Sequence, residues 1–326
     1  MILSNPADLL TALIACWAVR AVAVPLEPGC DADALVPKIK QARSQIALID
    51  AANQVAGLAA ITRCPRVKYI VGIDVYDGQV MSWRGLVARQ PATYVPTQSL
   101  PSDPALMVWP KQPSPGLAPQ SAMVLAHQSL IGQLPGFVMA TNWFPENARQ
   151  LLTTLKPWQE EGLFAAILPA LYFGHTVVLT NRLEVPVSSL GRVSHAVTTG
   201  RDLINTIRAA DAGGIGSAGG GASTQEAGKA RATELAALAV LEHTLEPGWR
   251  QRAQNIYGVE PNLATFVSGS GLLIAQSQHK WAEPADSSGR AVPGHHIRAG
   301  LTPYQSLPNE PVPHEPVPTG SDQSAD

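Results

Sequence analysis

Cysteine is scarce in this chain of 326 residues: Cys16, Cys30 and Cys64 are the only three. They are odd in number and lack metal-ligand spacing, so neither a disulfide framework nor a zinc module is supported, and buried thiols in a cytosolic protein are the simplest account. Charge is also sparse, at 15% of residues with a formal net charge of -2, which gives no support for a nucleic-acid surface. No uncharged hydrophobic run is long enough for a membrane span. The stretch from Ala7 to Leu26 is rich in Leu, Ala and Val, but Asp8 and Arg20 interrupt it, no basic segment precedes it, and Pro25-Leu26-Glu27-Pro28-Gly29 reads as a turn. A G-x-S-x-G motif is missing, so a serine hydrolase of the α/β type is unsupported. His295-His296 has no Cys or carboxylate at ligand spacing. The Gly-rich stretch from Ala212 to Ala222 follows no predicted strand in a G-x-G-x-x-G frame, which weakens a dinucleotide site.

What the chain does have is apolar content, 45% of residues, enough for one large or two ordinary domains. Its apolar segments are short and alternate in type. Met1-Ile2-Leu3 reads as a strand. Asn5 caps a helix with Pro6 at its first position, and Leu9, Leu10, Leu13, Ile14 and Trp17 follow at helical spacing. Ala21 to Val24 reads as a strand, and a second helix begins near Asp31 or Asp33. Strands follow at Ile46 to Ile49 and Val67 to Val71, with a helix from Val55 to Ile61 between them. Further on, Ala105 to Trp109 reads as a buried strand, Gly162 to Leu171 as an apolar helix, Thr176 to Leu179 and Val193 to Thr198 as strands, and Asp202 to Ala210 as a helix. A long helix is expected from about Thr224 to Leu245, with Ala232, Leu235, Leu238, Ala239 and Leu241 on its buried face. The pattern is that of an α/β protein with parallel sheets flanked by helices. From Leu301 the composition shifts to Pro, Glu, Ser and Gln, so a Pro-rich disordered tail is expected over 301–326, after a core domain over 1–300.

The stretch from Ala105 to Leu130 organises the rest. A strand, then a loop of small residues from Pro110 to Ser121, then an apolar segment ending at His127 is an arrangement that can hold phosphate on exposed backbone N–H groups. In this loop Pro113, Pro115 and Pro119 each remove a donor, and Gly116 is its one glycine.

Several stretches together resemble one family. The segment from Pro104 to His127 is similar to the one carrying the phosphate loop T-S-G-T-T-G-x-P-K-G of the AMP-forming acyl-CoA synthetases, members of the adenylate-forming ligase superfamily. Trp158 with Gly162-Leu163-Phe164, and Leu168-Pro169-Ala170-Leu171-Tyr172-Phe173-Gly174, resemble W-x-x-G-G-L-F and L-P-A-L-x-x-G of the acetyl-CoA synthetase-like branch. Gly219-Gly220-Gly221-Ala222 resembles the G-G-[AE] turn against the adenine. Tyr257-Gly258-Val259-Glu260-Pro261-Asn262-Leu263 resembles Y-G-Q-T-E-x-N-L with one residue missing, and Gly289-Arg290-Ala291-Val292-Pro293-Gly294 resembles G-R-P-x-P-G. The order and spacing of these pieces carry the resemblance.

The resemblance implies a two-step reaction: a carboxylate attacks the α-phosphorus of ATP, giving an acyl-adenylate and pyrophosphate, and the thiol of coenzyme A then displaces AMP. It implies Mg²⁺, with Glu260 as the catalytic, metal-associated glutamate. Ser114, Gly116, Gly220, Gly221, Ala222, Tyr257 and Gly258 would line the nucleotide side, and His127, Trp158 and Gly162 the acyl side. It equally implies impairment. The phosphate-loop lysine position falls on Gln120 or Ser121, the Thr before the glutamate has no counterpart, and the chain looks like a core truncated at both ends. Losing one preorganised donor to a developing charge costs roughly 2.7–4 kcal/mol. Two readings therefore stand: an ATP-dependent acid–thiol ligase, weak alone and in need of a homodimer or completing polypeptide, or a non-catalytic pseudoenzyme that acts as a binding module. Neither involves a nucleic acid or a membrane.

Overall fold

The computed structural model describes residues 1–91, 93–109, 121–141, 150–181, 183, 193–212, 235–242, 245–267, 271–275 and 290–292. The Asn5 side chain accepts the Ala7 N–H at 2.9 Å and starts α1 (Pro6–Ala18); Asp31 accepts the Ala34 N–H at 2.8 Å and starts α2 (Ala32–Ala42). These are the helix starts that the two side-chain caps imply. Next come β1 (Ile46–Asp50), α3 (Gln54–Ile61), β2 (Tyr69–Ile73), β3 (Met81–Ser82) and α4 (Trp83–Val87). The three strands pair in parallel. The strand expected from Val67 begins at Tyr69.

Met1–Leu3 and Ala21–Val24 are extended segments holding single bridges, Ile2 to Ile49 and Ala23 to Leu106. They fill a gap. β4 (Pro104–Val108) and β5 (Met123–Ala126) form an antiparallel pair, and the Ala23 N–H donates to the Ala105 carbonyl at 2.9 Å. On the other side the Leu26 N–H donates to the Met1 carbonyl and the Ile2 N–H to the Leu48 carbonyl, both at 2.9 Å. The hairpin is thereby hydrogen-bonded, through these two segments, to β1 and its sheet. Short helices α5 (His127–Ile131) and α6 (Leu134–Thr141) follow.

The second half builds a larger sheet from β6 (Gln150–Thr153), β7 (Thr176–Leu179), β8 (His195–Thr199), β9 (Ala237–Leu241), β10 (Pro261–Val267), β11 (Gly271–Ala275) and β12 (Arg290–Ala291). Its order is β12-β11-β10-β9-β8-β6-β7. The five strands from β10 to β7 are parallel, and β11 and β12 run antiparallel at one edge. Between β6 and β7 lie α7 (Glu160–Gly162), a π-helical segment Leu163–Ile167 and α8 (Leu168–Tyr172). Helices α9 (Gly200–Ala212) and α10 (Pro247–Tyr257) complete the unit.

Both faces of the large sheet are covered. Leu151, Val197, Ala239 and Ala264 pack with Phe137 of α6, Ile167 of the π segment and Ala170 of α8. On the other face Leu152, Ala196, Leu238 and Leu263 pack with Leu203 and Ile207 of α9 and Ala253 and Tyr257 of α10. Each fully buried large apolar side chain contributes about 1.5–3 kcal/mol, so these two layers supply much of the drive to fold. The sheet is the parallel, doubly covered α/β unit that the alternating strands and helices imply.

One expectation fails. Ala237–Leu241 is not the last part of a long helix but β9, a central strand with four consecutive fully buried residues. Alanine-rich sequence favours helix locally, yet a continuous apolar run reads equally as a strand buried on both faces, and tertiary pairing decides. The earlier part of that helix, the loop 110–120, the Gly-rich stretch and the tail 301–326 lie outside the described residues.

Candidate functional site

In an open parallel sheet the ligand crevice lies outside the carboxyl ends of the strands, where successive loops diverge. The register fixes that edge here: Thr153 of β6 pairs with Leu179 of β7 and Val197 of β8, and Thr199 of β8 pairs with Leu241 of β9. The residues just beyond these positions are Thr154 to Trp158, Thr180-Asn181, Gly200 to Asp202, and Glu242.

They form a polar network. The Thr154 hydroxyl donates to the Asp202 carboxylate at 2.8 Å and lies 2.9 Å from the Thr198 hydroxyl. The Asp202 N–H in turn donates to the Thr199 hydroxyl at 3.1 Å, a cap on the first turn of α9. Thr153 and Thr154 are buried, so this network fixes the start of the loop that leaves β6. The Lys156 ammonium donates to the Asn181 side-chain oxygen at 2.9 Å and has no acidic partner among the described residues. A cation held by a neutral amide at the carboxyl edge keeps its charge available to an anion.

Gly162 is required by close approach. A Cβ there would collide with the Lys156 carbonyl, so the Lys156–Trp158 loop packs directly on the backbone of α7. Directly after it comes the π-helical segment, all five residues of which are buried. Trp158 packs into the cluster of Leu163 and Phe164, and its indole N–H is buried without a hydrogen-bond partner. Trp17 belongs to the same cluster. His127, the first residue of α5, sets its ring edge-on to Trp17, centroids 6.5 Å apart, and its Nε2 is likewise buried without a partner. Its backbone N–H donates to the Asp103 carbonyl at 3.1 Å. The Leu100 N–H and then the Arg20 guanidinium, 2.8 Å away, hold the Asp103 carboxyl below its ordinary value. His127, Trp158 and Gly162, picked out separately in the sequence, thus border one apolar cluster.

Tyr257, Gly258 and Glu260 are placed differently. Tyr257 ends α10 and lies buried in the layer under the sheet; its hydroxyl has no partner, and burial pushes the phenol above its ordinary value. Gly258 is the left-handed C-cap of that helix, with φ +75°, and its N–H donates to the Gln254 carbonyl at 2.9 Å. Glu260 immediately precedes β10, whose first residue pairs with Leu238 near the start of β9. These three residues therefore sit at the amino ends of the parallel strands, across the sheet from Trp158 and Gly162. Glu260 pairs with Arg250 at 3.4 Å. The tyrosine–glycine pair that reads as an adenine-side turn is here a helix terminus, where glycine supplies the positive φ. Ser114, Gly116, Gly220, Gly221 and Ala222 lie outside the described residues.

Sequence reading missed Thr154, Lys156, Asn181, Thr198 and Asp202. The available signal was the pattern Thr199-x-x-Asp202 directly after an apolar run, a helix-start signature at the carboxyl end of a strand. Among the described residues no group of three His, Cys, Asp or Glu could hold a metal ion, and no helix is long and apolar enough to cross a membrane. The three cysteines are free, and burial raises the thiol pKa of Cys16 and Cys30, which disfavours a nucleophilic thiolate.

No family model matches the chain, and no curated protein matches its sequence. Solved structures do match its fold. An acyl-CoA synthetase from Brucella canis superposes with a TM-score of 0.70 at 15% identity, covering 90% of this chain and 52% of that one. The anthranilate CoA ligase AuaEII, solved with anthranoyl-AMP, gives 0.68 at 14% identity, covering 88% of this chain and 52% of that one. ATP-bound MatB from Rhodopseudomonas palustris gives 0.66 at 14% identity, covering 90% and 54%. The chain has the fold of these acyl- and aryl-CoA ligases and spans about half their length.

Proposed function

We propose that this chain is an adenylate-forming ligase-type domain that binds ATP together with a carboxylic acid along the carboxyl edge of its large parallel sheet. What carries the reading is the coincidence of a ligase fold with ligase-like motif pieces in the ligase order. In this reading the acid's carboxylate oxygen attacks the α-phosphorus of ATP as the bond to pyrophosphate breaks, and the thiol of coenzyme A then attacks the acyl carbon, losing its proton as the bond to AMP breaks. The acetyl-CoA synthetase-like branch is the finer assignment, resting on Trp158 and the Gly162-Leu163-Phe164 segment.

The roles of this chain's own residues follow from their placement. Lys156, held by Asn181, provides a cation at the carboxyl edge; in the sequence resembling the phosphate loop the lysine position falls on Gln120 or Ser121. The Thr154–Thr198–Asp202 network and Gly162 hold the loop that presents Lys156 and Trp158. Trp158 and His127 line the acyl side, with buried N–H and imidazole nitrogen atoms available to a polar group. Mg²⁺ enters through resemblance alone: the described residues provide no cluster of ligands, and no step is routed through the ion.

A second reading has its own support. Within the loop from Pro110 to Ser121, Pro113, Pro115 and Pro119 remove N–H donors, and donors of this kind are each worth about two to three decades in rate. On that reading the chain binds an adenylate without turning over, as a module completed by a second copy or another polypeptide.

Calorimetric titration of the full chain with ATP and Mg²⁺, then with a non-hydrolysable acyl-adenylate mimic, tests the shared premise. Saturable binding is expected from both. A chain shown to be folded by circular dichroism that binds neither would sink the nucleotide reading. Acid-dependent pyrophosphate release then separates ligase from binding module, and light scattering checks for a homodimer.

A further inference from the structure

A groove of about 490 Å³ opens between α9 and α10, and neither Trp158 nor His127 lines it. One wall is a stripe of α9. Arg201, Ile204, Asn205 and Arg208 recur at helical spacing and share one face. The other wall is Glu242, Leu245, Glu246 and Trp249. The groove's own chemistry is unusual in two respects.

First, its guanidinium groups are unsatisfied. Among the described residues Arg201 makes no hydrogen bond or ion pair, and Arg208 makes only a face contact, its guanidinium carbon 5.3 Å from the Trp249 ring centroid. That contact is preorganised. Arg252 sits over the same ring at 5.4 Å and is anchored by Asp211 at 2.7 Å, so indole and guanidinium groups are locked before any ligand arrives. Seven residues apart on a helix, Arg201 and Arg208 are separated by about 10 Å along the groove. Second, the facing wall carries the opposite sign. Glu246 is exposed with no partner among the described residues, and Glu242 approaches so closely to Gly200 that a Cβ there would lie 2.9 Å from its carboxylate. Ile204 and Leu245 provide apolar surface between the charged walls.

A simple anion such as phosphate would meet the two glutamates, and a simple cation the two arginines. We propose that this groove binds a short zwitterionic peptide of apolar residues, its carboxylate on the arginine wall, its ammonium on the glutamate wall and its side chains over Ile204 and Leu245. Gly200, Arg201 and Glu242 lie at the carboxyl edge that the ligase reading assigns to ATP, but the proposal does not need that reading, because it is argued from the groove's own walls and charges.

The experiment is titration of the full chain with the dipeptide Leu-Leu at neutral pH, against N-acetyl-Leu-Leu, which keeps only the anion, and Leu-Leu amide, which keeps only the cation. Saturable binding of the free dipeptide is expected, weakened at least tenfold by either block. Arg201→Ala should match the loss caused by the amide, and Glu246→Gln the loss caused by the acetyl group. Both residues are exposed, and circular dichroism with a thermal melt confirms folding. ATP affinity should be unchanged in Glu246→Gln, whose side chain is not among the residues at the carboxyl edge of the sheet. No saturable binding of the dipeptide overturns the proposal. So does N-acetyl-Leu-Leu binding as tightly, which would mark a plain anion site, and so does loss of ATP binding in Glu246→Gln, which would make the groove part of the nucleotide site.

Discussion

At the scale of single residues, three side chains carry distinct consequences. Lys156 has an amide partner and no acid, so Lys156→Ala should leave the melting temperature almost unchanged and weaken ATP binding several-fold in calorimetry, with Lys156→Arg restoring part of it. Equal ATP affinity in both variants would remove this lysine from the site. Gly162 is a packing requirement. Gly162→Ala drives a methyl into the Lys156 carbonyl and should destabilise the fold by about 1–3 kcal/mol in denaturant titration, the cost of overpacking a closed core. His195 is buried beside Ser194, whose hydroxyl lies 2.8 Å from Nδ1, and burial, then the nearby His175, push its pKa down to about 4 from 6.5. The unfolded chain therefore takes up a proton on this group before the folded one does. Its stabilising contribution is fully present above pH 6.5 and falls as pH drops towards 4, by up to about 3 kcal/mol. His195→Gln should flatten that part of the stability profile; an unchanged slope between pH 6.5 and 4 would contradict it.

At the scale of elements, helix ends follow local chemistry and the central strand does not. The caps at Asn5 and Asp31 satisfy N–H groups that a first turn leaves open, and each is worth about 1 kcal/mol. Gly258 ends α10 in the left-handed region, so Gly258→Ala should cost about 1 kcal/mol, read as a lowered denaturant midpoint with an unchanged slope. This matters for function, because the same glycine reads as part of an adenine-side motif. A stability loss without any change in ATP affinity would leave it as a helix terminus. The π-helical segment after Gly162 differs from the regular helix that its apolar residues imply. An extra residue per turn commonly marks a functional site, and here the segment lies between the loop of Lys156 and Trp158 and the buried layer of the sheet.

At the scale of the whole molecule, the large sheet is a doubly covered parallel core with β12 at one edge and β7 at the other. Central strands open only when most of the core opens, whereas edges open locally. Hydrogen exchange should therefore find the amides of β6, β8 and β9 slowest, and those of β3 in the smaller sheet among the fastest. Slow exchange at β3 with fast exchange at β9 would contradict this arrangement. The same topology sets the functional geometry, since it places the Lys156 loop and the groove on loops at the carboxyl ends of strands and Tyr257 and Glu260 at the amino ends.

The sequence by itself determined the α/β class, the starts of α1 and α2, and the strands β1, β7 and β8 to within a residue or two, and it picked out His127, Trp158 and Gly162 as candidates. These follow from local chemistry: capping side chains, short apolar runs and a motif fragment are each read within a few residues. Only the tertiary structure decided that Ala237–Leu241 is a strand, because an apolar run acquires its identity from the neighbours it pairs with. Only the tertiary structure separated Glu260 from Trp158, because the edge of a sheet on which a residue falls depends on strand direction and register. The network of Thr154, Thr198 and Asp202 likewise joins residues more than forty positions apart, and long-range hydrogen bonds leave no trace in local pattern.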